Sequence, residues 1–426
     1  MKIIDNCLCT YSTTLDSYII INTINGLIDQ IDAKENEIFH KWNLLDYIEP
    51  NNEYEKNFFD SLSEREYLID NKYKEETIKM DVIKQILKNW ELSPYSIGIV
   101  PTYECNFRCS YCYEDHSLHE NMEIITEKQI DIIKTSYKNI HDISIYGGEP
   151  LLPKTKSIIS YILKEFHNYP ITIITNGYYL DEFIEVFDNK DNVSFQITLD
   201  GNREYHDKVR HRLCGGGTFD KIVDNIAIML QKNHRINIRM NICRENLQYV
   251  QTLISLFESK FSNFKDMVVF NFDVITQIKE IDKEYTFTWL KDNYKMLSKV
   301  FRVNANFNRC NIFRALGERK PIELRTNYCN SETTSRVFDP YGRVYSCMMT
   351  VGRDEEAIGY YSDSEGISIN RESDILNRSI LSIKECKDCK LSLLCGGGCA
   401  YEKYEISKTV HAPNCDYIKR ILEKII

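Results

Sequence analysis

The sequence predicts an α/β protein built on an open, partial (β/α)6 barrel, with a small strand-and-helix module before it and a cysteine-rich region after it. Three observations carry that expectation. From Ser96 to about Thr276, six β-rich segments alternate with amphipathic helical ones. Near the start, Asn25-Gly26 separates two β-rich runs that precede three helical stretches. Eight of the 15 cysteines fall after residue 305.

Taken in order, residues 1–92 hold the hairpin signal "SYIIINTINGLIDQID" and the helical stretches "AKENEIFHKWNLL", "EKNFFDSLSEREYLI" and "EETIKMDVIKQILKNW". Pro94 marks a boundary. Residues 93–305 carry the strands "SIGIV", "ISIYGG", "ITIITNG", "VSFQITLDG", "RINIRMNI" and "MVVFNFDVI", with helices such as "FDKIVDNIAIMLQKN" between them. Such alternation implies a parallel sheet, and six units are too few to close an eight-fold barrel. Its chemistry belongs at the carboxyl ends of the strands. The helical stretch "TFTWLKDNYKMLSKVF" leads into the cysteine-rich region, residues 306–426.

The chain has 426 residues, 43% of them hydrophobic, and a formal charge of −10. That charge supplies no basic stripe for phosphate contacts, so a nucleic-acid partner is not expected. There is no run of 18 apolar residues and no signal-peptide pattern in "MKIIDNCLCTYSTTLD". A cytoplasmic location without membrane association is expected. Fifteen cysteines, an odd number, then point to metal or redox chemistry rather than a disulfide scaffold.

Cys105, Cys109 and Cys112, spaced CxxxCxxC, follow the first barrel strand. A structural zinc wants four closing ligands, and only His116 and His119 lie close by in sequence. A 4Fe-4S cluster on three thiolates keeps one iron open. With an aromatic before the third cysteine, on the first loop of a partial barrel, this motif resembles the radical S-adenosylmethionine (SAM) superfamily. The resemblance implies a 4Fe-4S cluster on these three cysteines, SAM on the open iron and Tyr111 near the adenine. It extends through "YGGEP" (Gly147, Gly148, Glu149, Pro150) and "TNG" (Thr175, Asn176, Gly177) to "QITLDG" and "HDKVR". By the same resemblance Gly147, Gly148, Glu149 and Asn176 border SAM, with Glu149 helping to hold the cation. Thr198, Asp200 and Arg210 are candidates for its ribose and carboxylate, Arg210 being the natural carboxylate partner.

In the C-terminal region, Cys329 and Cys347 precede "CKDCKLSLLCGGGC" and Cys415. This spacing resembles the SPASM extension of radical SAM enzymes, which binds auxiliary iron-sulfur clusters. The resemblance implies one auxiliary 4Fe-4S cluster on Cys386, Cys389, Cys395 and Cys415, and another on Cys329, Cys347 and Cys399. The second set is a ligand short: position 323 is glutamate and the nearest upstream cysteine is Cys310. Either Cys310 loops back, or an iron stays open to a substrate thiolate. A zinc ribbon on Cys386 and Cys389 is the alternative. Cys7, Cys9, Cys214 and Cys243 read as core or loop residues.

The resemblance implies a 5′-deoxyadenosyl radical that abstracts hydrogen from a peptide or protein, and an electron donor such as flavodoxin or ferredoxin. Two classes compete. Sulfatase maturases carry an aspartate after the second SPASM cysteine, where this chain has Met348, a side chain unable to act as a base. Peptide maturases form thioether or carbon-carbon cross-links in ribosomally made precursors. They often carry an N-terminal winged-helix-like module for the leader, and residues 1–92 resemble it in outline. Maturation of a precursor peptide is the expected function, with no catalytic side chain identified. A non-catalytic electron-transfer or zinc-scaffold protein is the alternative of another class.

Overall fold

The computed structural model describes residues 1–12, 15–70, 72–114, 123–275, 280–293, 296–305, 315 and 320–415. Cys310, His116 and His119 lie outside them. The chain packs into two units: residues 1–93, 307–333 and 374–426 form the first, and residues 94–306 and 334–373 the second.

In the first unit, β1 (Lys2–Ile3), β2 (Cys7–Ser12), β3 (Ser17–Asn22) and β4 (Ile28–Ile31) precede helices α1 (Ala33–Trp42) and α2 (Glu53–Glu64). Strand β5 (Leu68–Ile69), paired with β1, and helix α3 (Lys72–Leu92) follow. Strands β2, β3 and β4 make an antiparallel sheet in that order. Helix α1 starts on a capping box, Asp32 and Glu35 satisfying each other's backbone N–H groups. Strand β3 is buried on both faces. Ile20 packs with Phe39, Trp42, Phe58 and Leu62 of α1 and α2, whereas Ile19 and Ile21 pack with Ala315, Ile322, Tyr328, Leu394 and Cys395. The β3–β4 turn is as the Asn25-Gly26 signal predicts, and Gly26 has φ +77°. Its carbonyl accepts from Ile322 N at 2.7 Å, and a Cβ on it would overlap the Ile322 carbonyl oxygen.

The second unit holds β6 (Tyr95–Ile99), β7 (Phe107–Cys109), α4 (Glu127–Ser136), β8 (Ile140–Ile145), α5 (Lys156–Glu165), β9 (Ile171–Thr175), α6 (Ile184–Phe187) and β10 (Val193–Thr198). After these come α7 (Arg203–Val209), β11 (Arg210–Arg212), α8 (Phe219–Gln231), β12 (Arg235–Ile242), α9 (Val250–Phe261), β13 (Val268–Val274), α10 (Glu280–Asn293) and β14 (Arg302–Ala305). Strands β15 (Ser335–Phe338), β16 (Arg343–Tyr345), β17 (Gly359–Ser362) and β18 (Gly366–Ile369) close the unit. An 11-stranded sheet runs β14-β13-β12-β10-β9-β8-β6-β15-β16-β17-β18, parallel from β14 to β15 and antiparallel beyond. It contains the six expected strands in order and stays open.

Alternation gives this sheet two different faces. Ile143, Ile145, Ile173, Phe195, Ile197, Ile238, Phe270 and Phe272 are fully buried. Aromatic contacts from α6 and α9, Phe187 to Phe195 at 4.8 Å and Phe257 to Phe270 at 5.2 Å, show that helices cover this face. The opposite face carries half-buried Ser144, Thr172, Ser194, Gln196, Asn237, Arg239, Asn241 and Asn271. A parallel sheet covered on both sides reads apolar on both, so the polar face marks an open interior.

Among the described residues no helix is long and apolar enough to cross a membrane.

Candidate functional site

Strand β6 ends at Ile99, and the loop beyond it carries Cys105 before turning back through β7. Strand β7 pairs antiparallel with β11, setting Cys109 opposite Arg210. Ser110 N donates to the Val209 carbonyl at 3.0 Å, and Cys112 N to the Cys109 carbonyl at 3.2 Å. Cys105 and Cys109 are half-buried and Cys112 is exposed. Phe107 N donates to Cys105 Sγ at 3.4 Å, a bond that favours a thiolate. Burial pushes the free thiols up, Cys105 well above its ordinary value and Cys112 to about 11. For Cys109 burial also raises the value, and Arg210 opposes it. Metal binding at these sulfurs therefore displaces protons. Among the described residues no three Cys, His, Asp or Glu side chains are gathered closely enough to enclose a single ion.

The three sequence motifs are one another's hydrogen-bond partners. Gly148 N donates to the Thr102 carbonyl at 3.2 Å and Glu149 N to the Glu104 carbonyl at 2.8 Å, so the glycine pair lies against the backbone of the cysteine loop. A Cβ on Gly148 would overlap the carbonyl oxygens of Tyr103 and Glu104. The Glu149 carboxylate, 1% exposed, accepts from Thr175 Oγ1 at 2.6 Å, Asn176 N at 2.7 Å and Leu151 N at 2.9 Å. Burial raises its pKa and these bonds oppose the rise. Glu149 thus holds the Gly147–Pro150 turn to the Thr175–Gly177 turn. Asn176 Nδ2 in turn donates to Asn106 Oδ1, beside Cys105, at 2.8 Å.

Tyr111, Asp200 and Arg210 converge. The Tyr111 hydroxyl donates to Asp200 Oδ2 and accepts from an Arg210 guanidinium N–H at 2.8 Å. Asp200 Oδ1 accepts from Asn241 N at 2.9 Å, and Arg210 Nε stands 4.0 Å from Asp200 Oδ2. Burial raises the Asp200 carboxyl against the pull of Arg210. Among the described residues Arg210 Nε is buried with no hydrogen-bond partner, and a buried donor left in that state calls for an explanation. Thr198, 7% exposed, ends β10 in register with Arg239.

Several residues here escaped the sequence reading. Arg239 donates to Asn241 Oδ1 at 2.8 Å and pairs with Asp273 at 2.6 Å, extending the polar network from Tyr111 along the interior face. The alternation in "RINIRMNI" was the available signal. Tyr103 and Asp339 also join across the sheet, and no local pattern announces that pair.

In the first unit, Cys395 ends the short helix α11 (Ser392–Cys395), Cys399 is the N-cap residue of α12 (Ala400–Ser407), Cys386 ends a 3-10 turn, and Cys329, Cys389 and Cys415 sit on loops. Gly396, Gly397 and Gly398 all have positive φ. A Cβ on Gly396 would overlap Asn327, and one on Gly398 would overlap Asn414. The three glycines thereby bring the segments carrying Cys329 and Cys415 against the one carrying Cys395 and Cys399. Arg378, fully buried, donates to the carbonyls of Val410 at 2.6 Å and Gly397 at 2.8 Å and pairs with Glu332. Cys347 and Met348 belong to the second unit.

Residues 99–257 match the Radical SAM superfamily. The chain is 25% identical over 336 residues to the cysteine-type anaerobic sulfatase-maturating enzyme of Clostridium perfringens, spanning 72% of this chain and 89% of that protein. It is 23% identical over 372 residues to the radical SAM cyclopropyl synthase TigE of Paramaledivibacter caminithermalis, spanning 78% and 74%. The crystal structure of Streptococcus suis SuiB bound to its precursor peptide SuiA has the same fold. It superposes with a TM-score of 0.55 at 14% identity over 96% of this chain and 98% of that one.

Proposed function

From a chain that carries a radical SAM domain and is related to peptide and sulfatase maturases, we propose a maturase that acts on a ribosomally made precursor peptide. The modification proposed is oxidative, such as a thioether or carbon-carbon cross-link. The observation carrying this reading is the N-terminal module: the fold likeness to SuiB covers 96% of this chain and so takes that module in. Strands β2 and β4 each pair on one side only among the described residues, and such an edge accepts a leader peptide as an added strand. The domain division proposed along the chain is 1–92, 93–305 and 306–426.

Cys105, Cys109 and Cys112 fit a cluster that leaves one iron open, and Arg210, with its unpartnered Nε, fits the SAM carboxylate. Tyr111 and Asp200 set the direction of that guanidinium, and Gly147, Gly148, Glu149 and Asn176 hold the loop in place. When bound, the cluster and SAM supply a 5′-deoxyadenosyl radical that removes a hydrogen atom from the substrate. Cys386, Cys389, Cys395 and Cys415, with Cys329, Cys347 and Cys399, are proposed for one or two auxiliary clusters. A flavodoxin or ferredoxin is proposed as electron donor, and the cytoplasm as the location.

The relatedness to sulfatase maturases favours formylglycine formation as a second reading, against which Met348 stands where those enzymes carry a proton-accepting aspartate. Anaerobic reconstitution followed by incubation with a candidate precursor tests both. About eight to twelve irons per chain, 5′-deoxyadenosine release and loss of a hydrogen pair from the peptide support cross-linking. Conversion of a cysteine or serine to an aldehyde in a sulfatase peptide, with the precursor untouched, supports the second reading and refutes the first.

A further inference from the structure

His206 is fully buried on α7, in the chain between Asp200 and Arg210. Asp200 N–H donates to His206 Nδ1 at 3.2 Å. A backbone N–H can only donate, so Nδ1 carries the lone pair and the proton of the neutral ring is on Nε2. Nε2 lies 3.1 Å from Thr218 Oγ1, and it donates there. The hydroxyl hydrogen of Thr218 is then free for an acceptor, and the Arg210 carbonyl stands at 3.0 Å, nearer than Asp207 Oδ1 at 3.5 Å. Every direction in this chain of bonds is forced by one end that only donates and another that only accepts.

The relay is itself braced. Asp207 Oδ1 accepts from Thr218 N at 2.7 Å and Phe219 N at 2.9 Å, capping α8, and the Phe219 ring meets the imidazole edge-on with centroids 5.5 Å apart. Burial holds the His206 pKa well below its ordinary value, in keeping with a neutral ring. Thus one imidazole and one hydroxyl tie the backbone of Asp200 to that of Arg210, although β10 and β11 are not neighbours in any sheet.

We propose that His206 and Thr218 are positioning residues for the SAM site, fixing the spacing between Asp200 and Arg210 so that the guanidinium meets the carboxylate of SAM. The proposal rests on the reading that Arg210 meets SAM and that Asp200 helps to direct its guanidinium. Neither residue touches the ligand; each acts through the backbone it holds.

The test uses the reconstituted full-length protein and equilibrium binding of SAM. Thr218→Val removes the hydroxyl at nearly constant shape, and Thr218→Ser restores it. The Val variant weakens SAM binding about tenfold, the effect of losing the central hydrogen bonds, and the Ser variant returns to within about twofold. Equal SAM affinity in wild type and Thr218→Val overturns the proposal. A second measurement needs no altered fold: histidine-selective ¹⁵N NMR of the wild-type chain, with His206→Asn used only for assignment. It shows the Nε2–H tautomer, with protonation displaced to lower pH than that of a free imidazole. An Nδ1–H tautomer, or ordinary titration, overturns the relay. A wild-type protein that binds no SAM overturns the site reading and the proposal with it. Failure of the relay alone is distinguished by SAM binding that is intact in wild type and indifferent to Thr218→Val.

Discussion

The Tyr103 hydroxyl donates to Asp339 Oδ2 at 2.9 Å, joining the loop that carries Cys105 to the turn between β15 and β16. Asp339 Oδ1 meanwhile accepts from Tyr341 N at 3.0 Å and Arg343 N at 2.8 Å. One fully buried carboxyl therefore anchors the cysteine loop from the far side of β6.

Burial pushes that carboxyl up to about 6 from an ordinary 3.8. Below about pH 4 both folded and unfolded chains hold the proton; between about 4 and 6 the folded chain alone keeps it, so stability falls as pH rises through this window and levels above it. The contribution lost is on the order of 3 kcal/mol. In Asp339→Asn this decline is absent. Urea midpoints of wild type and variant at pH 4.5 and 7 check it, and parallel pH dependences would refute the assignment.

Gly148→Ala forces a methyl group onto the Tyr103 and Glu104 carbonyls, which are backbone and cannot swing aside. The variant should lose about 1–3 kcal/mol of stability and fail to load iron at the first site. Iron content after reconstitution, read with the thermal midpoint, decides. Full loading would show that the loop has room the geometry denies it.

Alanine at Cys105, Cys109 and Cys112 should remove about four irons per chain and abolish 5′-deoxyadenosine release. The remaining iron should persist, because Cys386, Cys389, Cys395, Cys399 and Cys415 lie in the other packing unit. Loss of all iron would mean the sites do not assemble independently.

Arg378→Met leaves Glu332 buried without its cation, at a cost of about 3–5 kcal/mol. Burial raises the Glu332 carboxyl while Arg378 opposes the rise. Pairing the change with Glu332→Leu removes the stranded charge and should recover part of the loss. Denaturant midpoints of the single and double variants measure this, and a double variant no better than the single would refute the account.

Much of this architecture was legible in the chain. The six barrel strands announce themselves by apolar runs between amphipathic helices, and Asn25-Gly26 announces its turn. Strands β14 and β15 did not: each has four residues, and β15 finds its partner β6 far upstream, so nothing local specifies the pairing. Strands β7 and β11 are shorter still, and "RHR" has no apolar period. The cysteine, glycine and TNG motifs were visible one at a time. Their mutual bonding through Glu149 and Asn176 was not, because a buried carboxylate reads in sequence like a surface one.

Strand β3 carries a consequence for how the protein is made. Its Ile19 and Ile21 side chains are translated well before Ile322, Tyr328 and Leu394, which cover them and follow only after the six barrel strands have been made. The nascent N-terminal sheet therefore travels with one apolar face bare, while the barrel folds downstream of it. Its completion waits for residue 394, and a ribosome stalled short of that point holds every barrel strand already made and a module whose sheet is still uncovered.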